Sequence, residues 1–207
     1  MGVLFAVLPG VISLGPRWLL LPIIMAGGLT CLLLLLADPT FPRRQWVRVG
    51  AIRDGWRGLL LRTLVVAAAL VLFALATRGP DALLNFPRQR PRIWLGVALL
   101  YPVFSAFPQE IIYRTFFFHR YRALFDNSWA LIVVNAVLFG WSHVIVHNRI
   151  AMALATVGGL FFARTYERTR STALVTLEHA AYGDAIFTIG IGGMFVNGVR
   201  LLSRILK

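Results

Sequence analysis

The sequence predicts an all-α protein, a polytopic transmembrane helix bundle of about six to eight spans, and three observations lead to this fold class. Of its 207 residues, 58% are hydrophobic and 14% are charged, whereas about 25% are charged in a typical soluble domain. The mean hydropathy is +0.75. Several apolar runs reach the ~20 residues that a membrane-spanning helix needs. Short connections leave no room for a separate soluble domain, so we predict one integrated membrane domain.

The charge of the chain is strongly basic, with 21 Lys and Arg against 8 Asp and Glu. The arginines gather in loops and at span ends, where they bind anionic lipid headgroups. No nucleic-acid-binding motif accompanies them, so we expect the lipid bilayer as a partner and no nucleic acid. The single cysteine, Cys31, excludes an intrachain disulfide. Compact arginine-rich loops and the lack of a transit peptide predict a bacterial inner membrane as the location.

Residues 1–92 predict N-terminal transmembrane helices with a basic interfacial segment between them. Residues 2–15 form a short, interrupted apolar run, typical of a re-entrant or partial span, and 19–37 and 59–76 predict two full spans. Residues 39–58 predict an amphipathic interfacial helix or a plain basic loop. This segment carries five arginines and an apolar stripe: Arg43, Arg44, Arg48, Arg53 and Arg57, with Trp46, Val49, Ile52 and Trp56.

Residues 93–207 predict the helical core that carries the site. A polar loop at 78–92 leads into a third span at 93–107, which we expect to end before Pro108, a residue suited to the first turn of the next helix at 109–124. Asp126-Asn127-Ser128 predicts a turn and an N-cap for a span at 129–147.

Two features mark the last helices of the chain. Small residues recur every four positions in the helix predicted at 151–166, which places them on one face and permits close packing: Ala151, Ala155, Gly159 and Ala163. The final segments are predicted at 172–182 and 185–199, and Gly183 between them permits either the close approach of a neighbouring helix or a break. Arg204 and Lys207 are expected to end the chain at an interface.

Glu110 and Arg114 are ionisable residues inside an apolar helix. A charge there costs at least ~2.5–3.5 kcal/mol on the insertion scale, so such a residue usually serves a function. The two are four residues apart and lie on one face, where they can pair. Gln109 is rotated by ~100° from Glu110. A purely structural ion pair is the alternative to a functional site.

Histidines form the second group of polar residues in the membrane. His143 follows Phe139 by four residues, and His179 follows Glu178 directly. A single buried histidine is usually bonded to a backbone carbonyl, but two of them with a glutamate indicate a site. His147 is expected to be interfacial. Asn135 is expected to bond between helices, and Glu178 to cap a helix or pair at an interface.

These residues resemble the CPBP intramembrane endopeptidases, which include the type 2 CAAX prenyl endopeptidases and the bacterial Abi proteins. The pattern of two glutamates, three variable residues and an arginine falls on Gln109, Glu110 and Arg114, over a resemblance that covers roughly 93–199. The later motifs fall on Phe139 with His143, and on His179 with Gly183.

The resemblance implies a protease, a hydrolase in which a glutamate and a histidine activate water inside the membrane. A second histidine, with an Asn or Asp four residues later, is expected to stabilise the oxyanion. The substrate would be a membrane protein or a lipidated peptide. The catalytic set predicted in this way comprises Glu110, His143, His179, Arg114, Gln109 and Asp184.

Two positions depart from the family pattern. Gln109 stands where the water-activating glutamate is expected, and an amide cannot accept a proton at useful pH. Glu110 is therefore the predicted base, with Gln109 helping to hold the water or the oxyanion. Gly183 stands where Asn or Asp is expected, and a helix break there would bring Asp184 into place.

Three alternatives stay open. We expect no cofactor, but zinc is an alternative because His143 and His147 have the spacing of a metal pair, with His179 or Glu178 as a third ligand. A non-catalytic immunity or partner-binding protein on the same scaffold is favoured by Gln109. A transporter would suit broken helices and buried charges, although no inverted repeat is visible.

Overall fold

The computed structural model describes residues 1–43 and 48–195, and in those ranges the chain is almost entirely helical and contains no β-strand. The predicted all-α fold class is therefore confirmed. The helices are α1 Val3–Ile12, α2 Leu20–Ala37, α3 Val49–Arg78, α4 Asn85–Gln89, α5 Pro91–Leu124, α6 Ser128–Val146, α7 Arg149–Thr169 and α8 Thr172–Ile189.

The exposed surface of the bundle is that of an integral membrane protein. Within the described ranges, four helices are long and apolar enough to cross a bilayer, namely α2, α3, α5 and α6. Large apolar side chains lie on their outer faces, among them Leu64 and Leu72, which are 58% and 67% exposed. A continuous apolar surface of this kind is stable when hydrocarbon covers it. The shorter α1, with α7 and α8, completes the bundle.

The part of the basic segment that the structure describes after residue 47 does not form a separate helix. From Val49 onward it is the first part of α3, which runs for 30 residues without interruption. The predicted boundary at residues 58 and 59 is therefore wrong, because the helix continues through Gly58 although glycine is a poor helix former. Arg44 and Trp46 lie outside the described residues.

Helix α5 passes through the predicted boundary at Pro108. It continues for 34 residues, although Pro102 and Pro108 each lack the N–H that an α-helix uses. Two wider π-type turns, Pro102–Ala106 and Ile111–Phe116, lie within this helix. Such turns accommodate a lost backbone hydrogen bond, and they occur often at functional sites. The second one includes Arg114.

The close packing of α6 against α7 follows from the small residues of α7. Ala151, Ala155 and Ala163 are buried as predicted. A Cβ atom added at Gly159 would lie 3.1 Å from the Cα of Ala136, so the two backbones nearly touch. The predicted N-cap of α6 is also confirmed, because the Asn127 side chain accepts a hydrogen bond from the Ala130 amide at 2.8 Å.

The last helix, α8, is continuous from Thr172 to Ile189, so of the two alternatives for Gly183 the break is wrong and the close approach is confirmed. It begins after Ser171, whose side chain caps it, and ends at Gly190, which adopts a left-handed conformation with φ of 104°. The predicted segment up to 199, with Arg204 and Lys207, extends beyond the described residues.

Candidate active site

Glu110 is at the centre of the candidate site. Its side chain is fully buried on α5. The Oε1 atom accepts a hydrogen bond from Nδ1 of His179 at 2.7 Å and lies 3.3 Å from Nη1 of Arg114. The other oxygen, Oε2, is buried and has no hydrogen-bond partner within 1–43 and 48–195. One oxygen is thus held by two groups, and the other is a free acceptor.

Arg114 neutralises this buried carboxylate. It is itself fully buried, and its guanidinium carbon lies 4.2 Å from the centre of the Phe139 ring and 5.2 Å from that of Phe162. Its Nη2 donates to the Gly159 carbonyl at 3.4 Å. Aromatic faces and a backbone carbonyl replace the water that an arginine loses on burial. The predicted pairing of Glu110 with Arg114 is present.

His179 reaches Glu110 from α8. Its imidazole stacks on Phe162, with ring centroids 4.7 Å apart and planes at 19°. Its Nε2 lies 3.0 Å from the hydroxyl of Tyr101, a residue of α5. Both ring nitrogens are therefore engaged by protein groups. In this arrangement the ring has no free N–H, and the oxyanion role that the family resemblance implies for His179 stays a prediction.

His143 lies just beyond the α-helical part of α6, in a short 3₁₀ turn. Its Nδ1 lies 2.9 Å from the Phe139 carbonyl. A carbonyl only accepts, so Nδ1 donates, and in the neutral ring Nε2 is then the acceptor. The Phe139 ring contacts both imidazoles, with centroids 5.0 Å from His143 and 5.5 Å from His179. The two predicted histidines therefore flank one aromatic side chain.

Three predicted residues make no hydrogen bond to Glu110, His143 or His179. The Gln109 amide donates to the Ser105 carbonyl and hydroxyl at 3.1 and 2.9 Å, within its own helix. Asp184 lies beyond Gly183 on the unbroken α8, and its Oδ1 has no hydrogen-bond partner in the described part of the chain. His147 is exposed and lies 3.0 Å from the Ser13 carbonyl.

A separate ion pair, in which only the carboxylate is fully buried, lies on another face of α8. Glu178 is fully buried and accepts a hydrogen bond from Arg62 of α3 at 2.6 Å. The Tyr182 hydroxyl donates to the same oxygen at 3.1 Å. The sequence predicted a pairing role for Glu178, and the single arginine inside the apolar run of α3 was the signal that would have identified its partner.

Asn135 forms the predicted interhelical hydrogen bond. Its side-chain amide on α6 donates to the Tyr113 carbonyl of α5 at 2.5 Å. The sequence analysis did not identify Tyr101. The signal for it was a single tyrosine near the end of an apolar run.

Zinc does not fit the arrangement of the described side chains. Within 1–43 and 48–195, no three His, Cys, Asp or Glu side chains lie close enough together to hold a metal ion. The α-helical turns end at Ser142, so the spacing of His143 and His147 no longer places them on one helical face. We therefore derive no step through a metal.

Comparison with protein-family models gives a match over part of the chain. Residues 91–183 match the family model described as Rce1-like: Type II CAAX prenyl endopeptidase Rce1-like. This segment contains every predicted catalytic residue except Asp184, which follows it directly. Neither a curated protein nor a solved structure matches the chain.

Proposed function

We propose that this chain, whose residues 91–183 match the family model of type II CAAX prenyl endopeptidases, is a member of that family and an intramembrane peptidase that uses Glu110 to activate water. Its substrate is a membrane-associated or lipidated protein, cleaved at a peptide bond. Its proposed location is a bacterial inner membrane. The observation that supports the reaction best is the Glu110 carboxylate, with Oε1 held by His179 and Arg114 and Oε2 left as a buried acceptor.

The reaction follows from this asymmetry. Oε2 of Glu110 accepts a proton from a water molecule as the water oxygen forms a bond to the substrate carbonyl carbon. The tetrahedral intermediate then collapses, the C–N bond breaks, and the protonated Glu110 delivers its proton to the departing nitrogen. The products are a carboxylic acid and an amine, and the glutamate returns to its starting state.

His143 contributes the second contact to the water. Its Nδ1 is committed to the Phe139 carbonyl at 2.9 Å, so the neutral ring offers Nε2 as an acceptor. The side chain is partly exposed, whereas Glu110 is fully buried. We assign His143 to orient the water on the open side of the site and Glu110 to take the proton.

The test is cleavage by the purified protein reconstituted in lipid vesicles, with a farnesylated CAAX peptide and a set of transmembrane peptides as probes. Glu110→Gln keeps the shape of the side chain and removes its basicity. We expect a loss of about 10²–10⁴-fold in kcat, the usual contribution of a general base. The kcat of His143→Ala is also expected to fall.

The matched control is Glu178→Gln. Glu178 is equally buried and pairs with an arginine, but it faces Arg62 and not the site. We expect it to retain activity. Equal losses in both variants would indicate general damage to the bundle and would refute the assignment of Glu110 as the base.

A non-catalytic, partner-binding role is the second candidate, and one observation favours it. Gln109 occupies the position of the expected base, and its amide is bonded to Ser105 within α5. On this alternative, the natural protein is inactive on every probe, and Gln109→Glu creates an activity that was absent.

A further inference from the structure

The His179 ring is held from two sides by groups on α5. Nδ1 meets Glu110 at 2.7 Å, and Nε2 meets the Tyr101 hydroxyl at 3.0 Å. Beyond Glu110, the chain of contacts continues to Arg114 at 3.3 Å. Arg114 and Glu110 are fully buried, His179 is 5% exposed, and Tyr101 is partly exposed. The contacts therefore run from the interior of the bundle outward to a tyrosine.

The direction of each hydrogen bond in this series of contacts follows from which groups can only accept. Oε1 of Glu110 also contacts a guanidinium, so it accepts, and Nδ1 of His179 carries the hydrogen. In the neutral ring Nε2 is then a lone-pair acceptor, and the Tyr101 hydroxyl donates to it. This pattern selects one tautomer of His179.

Packing alone does not determine how the His179 ring is turned. Phe162 stacks on one face, with planes at 19°, and Phe139 presents its edge at a centroid distance of 5.5 Å. A half-turn about the Cβ–Cγ bond leaves an imidazole in the same plane, so the flat slot accepts both orientations. Only the hydrogen bonds distinguish them.

The place of Tyr101 depends on Gly183. A Cβ atom at Gly183 would lie 2.3 Å from Cε1 of the Tyr101 ring and 2.6 Å from its hydroxyl oxygen. The tyrosine thus occupies the volume next to α8 that any side chain at 183 would need. Gly183 and Tyr101 form a complementary pair, and the glycine is what allows the hydroxyl to reach His179.

We propose that Tyr101 is a positioning residue, which together with Glu110 fixes the tautomer and the orientation of His179. The consequence for catalysis rests on the proposed function: a correctly turned His179 keeps Oε1 of Glu110 in place and leaves Oε2 directed at the water. Partners that orient a catalytic ligand typically contribute about 10–100-fold, by analogy with metal-site histidines.

The direct test is ¹⁵N NMR of the full chain, labelled at its four histidines and reconstituted in lipid nanodiscs. The His179 signals are identified by their loss in His179→Asn. We expect wild type to give one set of signals with Nδ1 protonated. Tyr101→Phe, which removes only the hydroxyl, is expected to give a second set or exchange broadening.

Two further variants sharpen this test. Tyr182→Phe is the matched control, since it removes a hydroxyl bonded to a buried glutamate on the same helix, and it should leave the His179 signals unchanged. Gly183→Ala displaces Tyr101 without altering either hydrogen-bonding group, and it should reproduce the Tyr101→Phe spectrum. If Gly183→Ala does not fold, Tyr101→Phe decides alone.

Unchanged His179 signals in Tyr101→Phe would overturn the proposal. Peptidase assays give a second readout: kcat should fall about 10–100-fold in Tyr101→Phe, with a nearly constant KM, and the effects of Tyr101→Phe and Gly183→Ala should not add. Additive effects would contradict a shared mechanism. If wild type cleaves no probe, the proposed function fails, and the NMR spectra still decide the role of Tyr101.

Discussion

Arg114 is the residue whose loss should damage the fold most. Its side chain and that of Glu110 are both fully buried, with Nη1 and Oε1 3.3 Å apart. Arg114→Met retains much of the side-chain volume and removes the charge. It removes the guanidinium that pairs with the buried Glu110 carboxylate.

The magnitude follows from the cost of an unpaired buried charge. Removing one partner of a buried ion pair destabilises by about 3–5 kcal/mol. The lost contacts with the Phe139 and Phe162 rings add to this, since a desolvated cation–π contact contributes up to about 2 kcal/mol. We therefore expect the free energy of unfolding to fall by at least about 3 kcal/mol in Arg114→Met.

A second substitution separates the charge from the packing. Glu110→Gln removes the unpaired carboxylate, so the double variant Arg114→Met with Glu110→Gln should be more stable than Arg114→Met alone. Coupled residues in contact typically differ from additivity by about 0.5–3 kcal/mol. We expect a coupling in the upper part of this range, because both groups are removed from solvent.

The assay is reversible unfolding in mixed micelles, with increasing sodium dodecyl sulfate and tryptophan fluorescence as the signal. Arg122→Met is the matched control near the end of the same helix, because Arg122 is 39% exposed and lies 3.8 Å from Glu167. Such a pair contributes at most about 1 kcal/mol. The reasoning would be refuted if the two arginine substitutions lowered the free energy of unfolding equally. It would also be refuted if the loss in the double variant equalled the sum of the losses in the two single variants.

Two further predictions concern packing and pH. Gly140→Ala places a methyl group on a hydroxyl of α7 and should destabilise the bundle by about 1–3 kcal/mol, whereas Gly96→Ala, with open space around it, should be neutral or slightly stabilising in the same unfolding assay. An equal response at both glycines would contradict the packing of α6 on α7. Hydrogen bonds from Thr40 and His119 hold the pKa of Asp38 well below its usual range, so the folded state binds fewer protons than the unfolded state. Asp38→Asn should therefore lower the melting temperature near neutral pH. The difference in melting temperature between this variant and wild type should shrink as the pH falls below about 4. A difference in melting temperature that does not depend on pH would contradict this prediction.

The parts of the site that depend on local spacing were predictable from the sequence. Glu110 and Arg114 pair because a four-residue spacing places them on one helical face, and Asn127 caps α6 because its side chain can reach the first free amides. The small residues of α7 likewise indicate its packing face from the sequence alone, although they do not identify the partner helix.

The parts that depend on tertiary structure were not predictable. Pro108 suggests a helix start, yet α5 continues because π-type turns accommodate the missing hydrogen bonds. Gly183 is compatible with a break or with a close approach, and only the structure shows that its lack of a side chain makes room for Tyr101. A glycine or proline has the same local signature in both situations, and only the neighbouring helix distinguishes them.

The pairing of Arg62 with Glu178 belongs to this second class. The two residues are 116 positions apart, and no local pattern relates them. Each is an ionisable group inside an apolar helix, and the fold shows that each is the partner of the other.

The measurement that tests the central claim most directly is cleavage of a farnesylated CAAX peptide and of transmembrane peptides by wild type and Gln109→Glu, side by side in lipid vesicles, with and without a metal chelator. The account predicts that wild type cleaves at least one probe, that chelator leaves its rate unchanged, and that Gln109→Glu is not required for turnover. Cleavage by Gln109→Glu alone would contradict it, because Glu110 would then not serve as the base of the natural protein.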